Sequence, residues 1–268
     1  MVDMETGLVA LGAGIGGKDI IVKLLGPTAD YIGVGFKDFT EKRVKNVKTI
    51  FDNANKKLGE DINNEGQVPP IVLKGIFEEG SWNDNELASE YFGGVLASSR
   101  SGVSRDDRGA YFNKIISSLS TYQLRSHYLF YNYFKLLFNG KDLSFSHSKG
   151  REKMTVFISI KNIFKNFDLS QDEIEQFPSI FIHVITGLVN AGLIDNYYHF
   201  GPIDHLKGHF KDVKEEGILI RPSDLGVTLY LWVHGKGQIS REKYLEKEFK
   251  LSIDDFSIDY EGIEIVHK

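Results

Sequence analysis

The feature that most constrains this chain is an apolar pattern of helical period that runs almost without pause over residues 47–138. Val47, Ile50, Phe51, Ala54 and Leu58 recur at steps of three and four, with Lys42, Lys48, Lys56 and Lys57 on the other side, as an amphipathic helix requires. DINNEGQ breaks the pattern. Pro69 and Pro70 then suit a helical first turn, where a proline forfeits no intrahelical bond, and Ile71, Val72 and Ile76 give that helix a stripe that stops at Gly80. Asn83 with Glu86 three residues on has the form of a capping box ahead of Leu87, Tyr91, Phe92, Val95 and Leu96. Asp106 or Asp107 is placed to cap a helix carrying Tyr111, Ile115, Ile116 and Leu119. An aromatic helix follows with Tyr122, Leu124, Tyr128, Tyr131, Phe134 and Phe138.

The polar, Gly- and Ser-rich stretch 139–153 ends this run and is the expected domain boundary. Beyond it lie a helical segment around 155–167, an apolar run over 179–191, LIDNYYHF, a loop, GILIRPSD and a helix near 225–234. Helix, short strand, loop, strand and helix in that order is how a winged-helix unit reads. The expected fold is therefore mainly α. It has a Gly-rich apolar segment (1–36), a helical domain (37–140), a linker (141–153), a winged-helix-like α+β domain (154–237) and an acidic C-terminal element (238–268). From Glu242 onward that element carries eight Asp and Glu against four lysines, so an exposed charged face is expected of it.

Composition narrows the function classes. At 41% hydrophobic and 26% charged over 268 residues, the chain can bury a core unaided. With no cysteine, disulfides, thiolate catalysis and Cys-based metal sites are excluded. A net charge of −5 disfavours nucleic acid and anionic membranes unless a local patch overrides it. The start lacks the basic region of a secretory signal, having Asp3 and Glu5 instead, so a cytoplasmic protein is expected, with membrane association on activation left open. The longest uncharged run, residues 177–194, contains Pro178, His183, Thr186 and Asn190 and reads as a buried helix rather than a membrane span.

The N-terminal segment holds two glycine patterns. Gly12, Gly14 and Gly17 fit G-x-G-x-x-G, with Asp38 at the distance of a ribose-binding acid, but a dinucleotide site needs alternating strands and helices, which the following residues lack. Gly12, Gly17 and Lys18 also spell most of a phosphate loop, yet Asp19 stands where a magnesium-binding hydroxyl belongs. Close packing in an oligomer or membrane is the preferred reading, with Leu8, Leu11, Gly12, Gly14, Gly16 and Gly17 as the candidate contacts. Nucleotide use through residues 12–18 is a further alternative, and no cofactor is expected.

Residues 98–109, SSRSGVSRDDRG, concentrate Arg100, Arg105, Asp106, Asp107 and Arg108. Such loops are commonly caps and solvated turns. Their functional reading is a partner-binding loop, whose arginine forks grip an acidic or phosphorylated surface with His127 near by. His199, His205 and His209 crowd YYHFGPIDHLKGH, but with no pair beside a general base they read as a polar loop tip, and no metal is expected. No nucleophile elbow appears, so enzyme activity is not announced. Residues 179–194 carry no Lys or Arg, so the winged-helix-like part is expected to bind protein rather than DNA; a nucleic-acid-binding regulator is the alternative.

Three stretches carry a resemblance: LLGPTADYIGVGFKDFTEKRVKNVKTIFDNANKKL, VPPIVLKGIFEEGSWNDNELASEYFGGVLASSR and DDRGAYFNKIISSLSTYQLRSHYLFY. Over residues 24–140 they resemble the Abi-alpha family, a bacterial group named for abortive infection, and GILIRPSDLGVTLYLW resembles the strand-then-helix ending of its winged-helix-like part. The pair Gly93 and Gly94 departs from the bulkier neighbours of that pattern. The resemblance implies a phage-defence role, met through a protein partner, a phage component or a second copy of the chain. It brings no catalytic residues.

Overall fold

The structure, a computed structural model, describes residues 41–247, 249, 251, 253 and 256–266. The segment 1–36, with its candidate contacts Leu8, Leu11, Gly12, Gly14, Gly16 and Gly17 and the loop 12–18, lies outside those residues. What is described is mainly helical with one small four-stranded antiparallel sheet, and the chain divides into two compact units.

Helical period builds the first unit, which takes in the described residues up to Ser118 and Leu231–Gln238. Helix α1 (Glu41–Leu58) buries Val47, Ile50, Phe51 and Ala54, the stripe its spacing predicts. Helix α2 (Pro70–Glu78) opens on its proline and buries Val72, Leu73 and Ile76. Helix α3 (Glu86–Ser99) is buried nearly all round. Its N-cap is Asn85, which accepts from the Ala88 amide, while Asn83 accepts from the Asn85 amide. The expected capping box at Asn83 and Glu86 is thus replaced by a side-chain turn that feeds a cap two residues later. Gly93 and Gly94 permit this burial. A Cβ added to Gly93 would stand 2.9 Å from the Ile50 carbonyl oxygen, and one on Gly94 1.8 Å from that of Val233. No side chain fits such gaps, so the two glycines let α3 lie directly against backbone. Helix α4 (Arg108–Ser118) adds Phe112, Ile115 and Ile116, with the Phe112 ring 4.6 Å from that of Trp232.

The second unit comprises Leu119–Tyr230 and the described residues from Ile239 on. Helix α5 (Thr121–Phe138) begins in a complete capping box of Ser120 and Gln123. Tyr128, Tyr131 and Tyr133 are buried on it with their hydroxyls satisfied. Tyr131 donates to the Leu193 carbonyl at 2.9 Å and accepts from the Ser223 amide at 3.0 Å, while Tyr133 donates to Asn162 at 2.6 Å. These bonds tie α5 to the residues that follow it, and the compact units accordingly divide after Ser118 rather than at the expected linker. In that stretch sits helix α6 (Ser148–Lys153), where Arg151 donates to Asp195 at 2.9 Å and to the Phe145 carbonyl at 2.7 Å.

There follow β1 (Val156–Ser159), α7 (Ile160–Phe167), α8 (Gln171–Glu175), α9 (Phe177–Asn190), β2 (Ile194–Gly201), the one-turn α10 (Ile203–Leu206), β3 (Gly217–Pro222), α11 (Asp224–Val233) and β4 (Ile263–Ile265). The helix expected over 155–167 therefore starts only at Ile160. Residues 156–159 are drawn into a strand because both their edges find partners, Ile220 and Ile265 flanking Val156, and a local period cannot register partners so distant in sequence. The sheet order is β2-β3-β1-β4. Val156, Ile158, Ile218 and Ile220 are fully buried on one face. On the other, Phe157 and Leu219 lie under Leu206, Phe210 and Val213 of the β2–β3 connection and Val266. Among the described residues no helix is long and apolar enough to cross a membrane. The uncharged run 177–194 is largely α9, which buries Phe177, Phe181, Val184, Ile185 and Leu188 as expected.

Candidate functional site

The charged loop before α4 closes largely upon itself. Arg100 turns its guanidinium to the carbonyls of Asp61 and Ile62, both at 3.2 Å, and of Asn64. Beside it the backbones of Gln67 and Ser101 exchange two hydrogen bonds. Arg100 is therefore a brace for the turn around Gly59–Asn63 rather than a fork offered to a partner. Arg108 grips Asp106 through two bonds of 2.7 Å and donates to Gln238 at 2.9 Å, and Gln238 donates back to Asp106 at 3.1 Å. The Arg108 bond above all, with help from Gln238, holds the Asp106 carboxyl down at about 2. Arg105 and Asp107 stay exposed. Asp107 and Arg108 form one lip of an open groove of about 680 Å³ between α2 and α4, lined also by Ile71, Lys74 and Tyr111.

His127 does not join this loop. It belongs to the second unit, is fully buried, and lies 3.1 Å through Nε2 from the Gly226 carbonyl, to which it donates. Burial pushes its pKa down to about 4, so at neutral pH it is an uncharged core residue with no surface for a partner to meet. Of the six candidates, Arg105, Asp107 and the outer side of Arg108 remain open to contact.

In the second unit, the solvent face of α9 consists of Pro178, Ser179, Ile182, His183, Thr186 and Asn190, with Ile182 48% exposed. No Lys or Arg stands on it. The preceding α8 exposes Asp172 and Glu175 around Ile174, which is 42% exposed. Arg221, a residue around which a basic surface could have formed, is occupied elsewhere. It stacks 3.5 Å over the Tyr197 ring, donates to Thr155 at 2.8 Å and lies 3.8 Å from Glu152.

The three histidines set aside on sequence do converge. A ligating nitrogen from each of His199, His205 and His209 lies within 4.8 Å of the other two. His199 is half-buried on β2 and the others are exposed on the connection that follows. The rings of His199 and His209 stack at 3.5 Å. Among the described residues this is the one group of three histidine or acidic side chains close enough to share an ion. The sequence held a signal for it: in HLKGHF, His205 and His209 are four apart and each precedes a core residue, Leu206 and Phe210. Seating those two apolar side chains on the sheet fixes where the adjacent imidazoles go.

Compared with models of protein families, with curated proteins and with solved structures, the chain matches none.

Proposed function

We propose that this chain is a non-enzymatic phage-defence factor of the abortive-infection kind, and that its second unit is a winged-helix-like module turned to protein contact. The order α5, β1, α7, α9, β2, β3, with β3 lying between β1 and β2, supports the winged-helix reading. In that arrangement α9 takes the place of the helix that DNA readers lay in the major groove. The observation that carries the choice of partner is the face α9 presents there. A DNA-reading helix needs Arg, Lys, Asn or Gln toward base edges and cations toward phosphate. Here a central isoleucine is ringed by serine, threonine, histidine and one terminal asparagine, and the neighbouring helix adds carboxylates. A protein surface that is apolar at its centre and basic at its rim complements this face, whereas a polyanion is repelled by it. The defence role rests on the resemblance over residues 24–140.

The test is a phage challenge of cells carrying the wild type or the pair Ile182→Glu and Thr186→Glu, alongside a duplex DNA titration of both purified proteins. Protection by the wild type, its loss in the variant at unchanged melting temperature, and no DNA shift are expected. A submicromolar, salt-sensitive DNA shift that the variant loses would replace this reading with the nucleic-acid regulator, and an unprotected wild type would remove the defence role.

A further inference from the structure

We infer that His199, His205 and His209 form a binding site for a divalent transition-metal ion of the zinc class, clamping the end of β2 to the connection that follows it. The site is independent of the contact face of α9 and of any defence role.

The construction starts from packing. His199 pairs in register with Leu219, and Phe157 pairs with Leu219 on the next strand, so all three project from the same face of the sheet. That face is the one the connection covers with Leu206, Phe210 and Val213. The chain from Pro202 to Phe210 is held in successive turns by the bonds His205 to Pro202, Lys207 to Ile203, and Phe210 to Leu206. His205 and His209 consequently rise one turn apart beside His199, and the spacing of four that would place two ligands on one helical face is met by a short coil of chain.

The donor set suits zinc, nickel, cobalt or copper and not magnesium or calcium, which demand oxygen. Bonds of about 2.05 Å to a tetrahedral zinc put two nitrogens roughly 3.3 Å apart. The present separations, none above 4.8 Å, need close by no more than about 1.5 Å, which rotation of the exposed His205 and His209 side chains supplies. Coordination then takes the place of the stacking between His199 and His209. Three imidazoles leave a fourth position for water.

Arg221 opposes an incoming cation, but its charge is engaged by the Tyr197 ring and lies close to Glu152. Three nitrogen–metal bonds outweigh one partly offset charge at the edge of the site.

The experiment is calorimetry of the full chain, freed of metal by a chelator, with Zn²⁺, Co²⁺ and Mg²⁺ as probes. One Zn²⁺ per chain is expected, with a Kd tighter than ~10 μM, together with the visible absorption of four-coordinate Co²⁺ and no heat from Mg²⁺. His205→Ala and His209→Ala should each weaken zinc by about 100-fold or more, since even outer-shell losses cost 10–100-fold. His147→Ala, which removes an exposed histidine outside the cluster, should change nothing. If an alanine variant melts early, His205→Gln keeps the size and polarity and carries the same expectation. Binding weaker than that limit, binding that survives both alanine variants, or equal loss in His147→Ala would overturn the site.

Discussion

Residues 100–108 of the first unit and 199–209 of the second are both short, polar and dense in groups able to hold a ligand. In the first, the two arginines best placed to fork onto a partner have counterparts within the unit: Arg100 braces three carbonyls, and Arg108 is forked onto Asp106 beside Gln238. In the second, three imidazoles bring nitrogen ligands of one kind within 4.8 Å of one another, at the end of a strand and on the exposed connection that follows it, as a shared metal ion requires. The lesson is that density of chemical groups does not mark a site. What marks it is a surplus of one kind of valence that the fold gathers and does not itself use.

The largest effect that could break this contrast concerns a histidine of the closed kind. His127 has its pKa lowered to about 4 by burial, so the folded state resists a proton that the unfolded chain accepts near its ordinary value of 6.5. Stability from this group is complete above that ordinary value and is lost as pH falls from there toward the folded pKa, by on the order of 3 kcal/mol. Urea midpoints measured between neutral and mildly acid pH should fall more steeply for wild type than for His127→Gln, which keeps a donor toward Gly226 and has no proton to gain. Equal slopes would mean that His127 is not the buried neutral ring described.

Arg100→Ala sharpens the contrast at intermediate size. A loop arginine counted as solvated would cost less than ~0.5 kcal/mol to remove. A brace holding three carbonyls should instead cost about 1–2 kcal/mol, discounted for its partial exposure. Denaturant midpoints of the single variant decide between the two.

The smallest effect separates the remaining arginines. Arg108→Ala should cost under ~1 kcal/mol, because the pair is half in water, while releasing the Asp106 carboxyl upward from about 2 toward its ordinary range. A carboxyl titration followed by NMR reads that shift directly. Arg105→Ala, removing an exposed residue, should leave both stability and the Asp106 titration unchanged. An Asp106 that stays low without Arg108 would show that the pair is not what holds it.

Much of this was legible beforehand where the determinants are local. The stripes of α1 and α2, the proline that opens α2 and the buried character of α9 all follow from residues within a few positions of one another. Even the pair Gly93 and Gly94 was visible as a departure, though not its cause, which is the backbone of Ile50 and Val233 pressed against α3. The sites were less legible. His127 read as a neighbour of the charged loop and is instead a core residue of the other unit, and the three histidines read as a solvated tip.

What the amino-acid sequence determined by itself is therefore the helical stripes, the absence of thiol chemistry and the lack of Lys and Arg on the face of α9, because periodicity and composition act over one or two turns of chain. Tertiary structure alone decided that residues 156–159 are a strand between Ile220 and Ile265, that the compact units part after Ser118, and that His199 meets His205 and His209. The strand and the histidine cluster depend on partners brought together by burying Leu206, Phe210, Val213 and the sheet beneath them, and the boundary on the bonds of Tyr131 and Tyr133 to residues far along the chain; the free energy of such contacts belongs to the assembled surface and to no single segment.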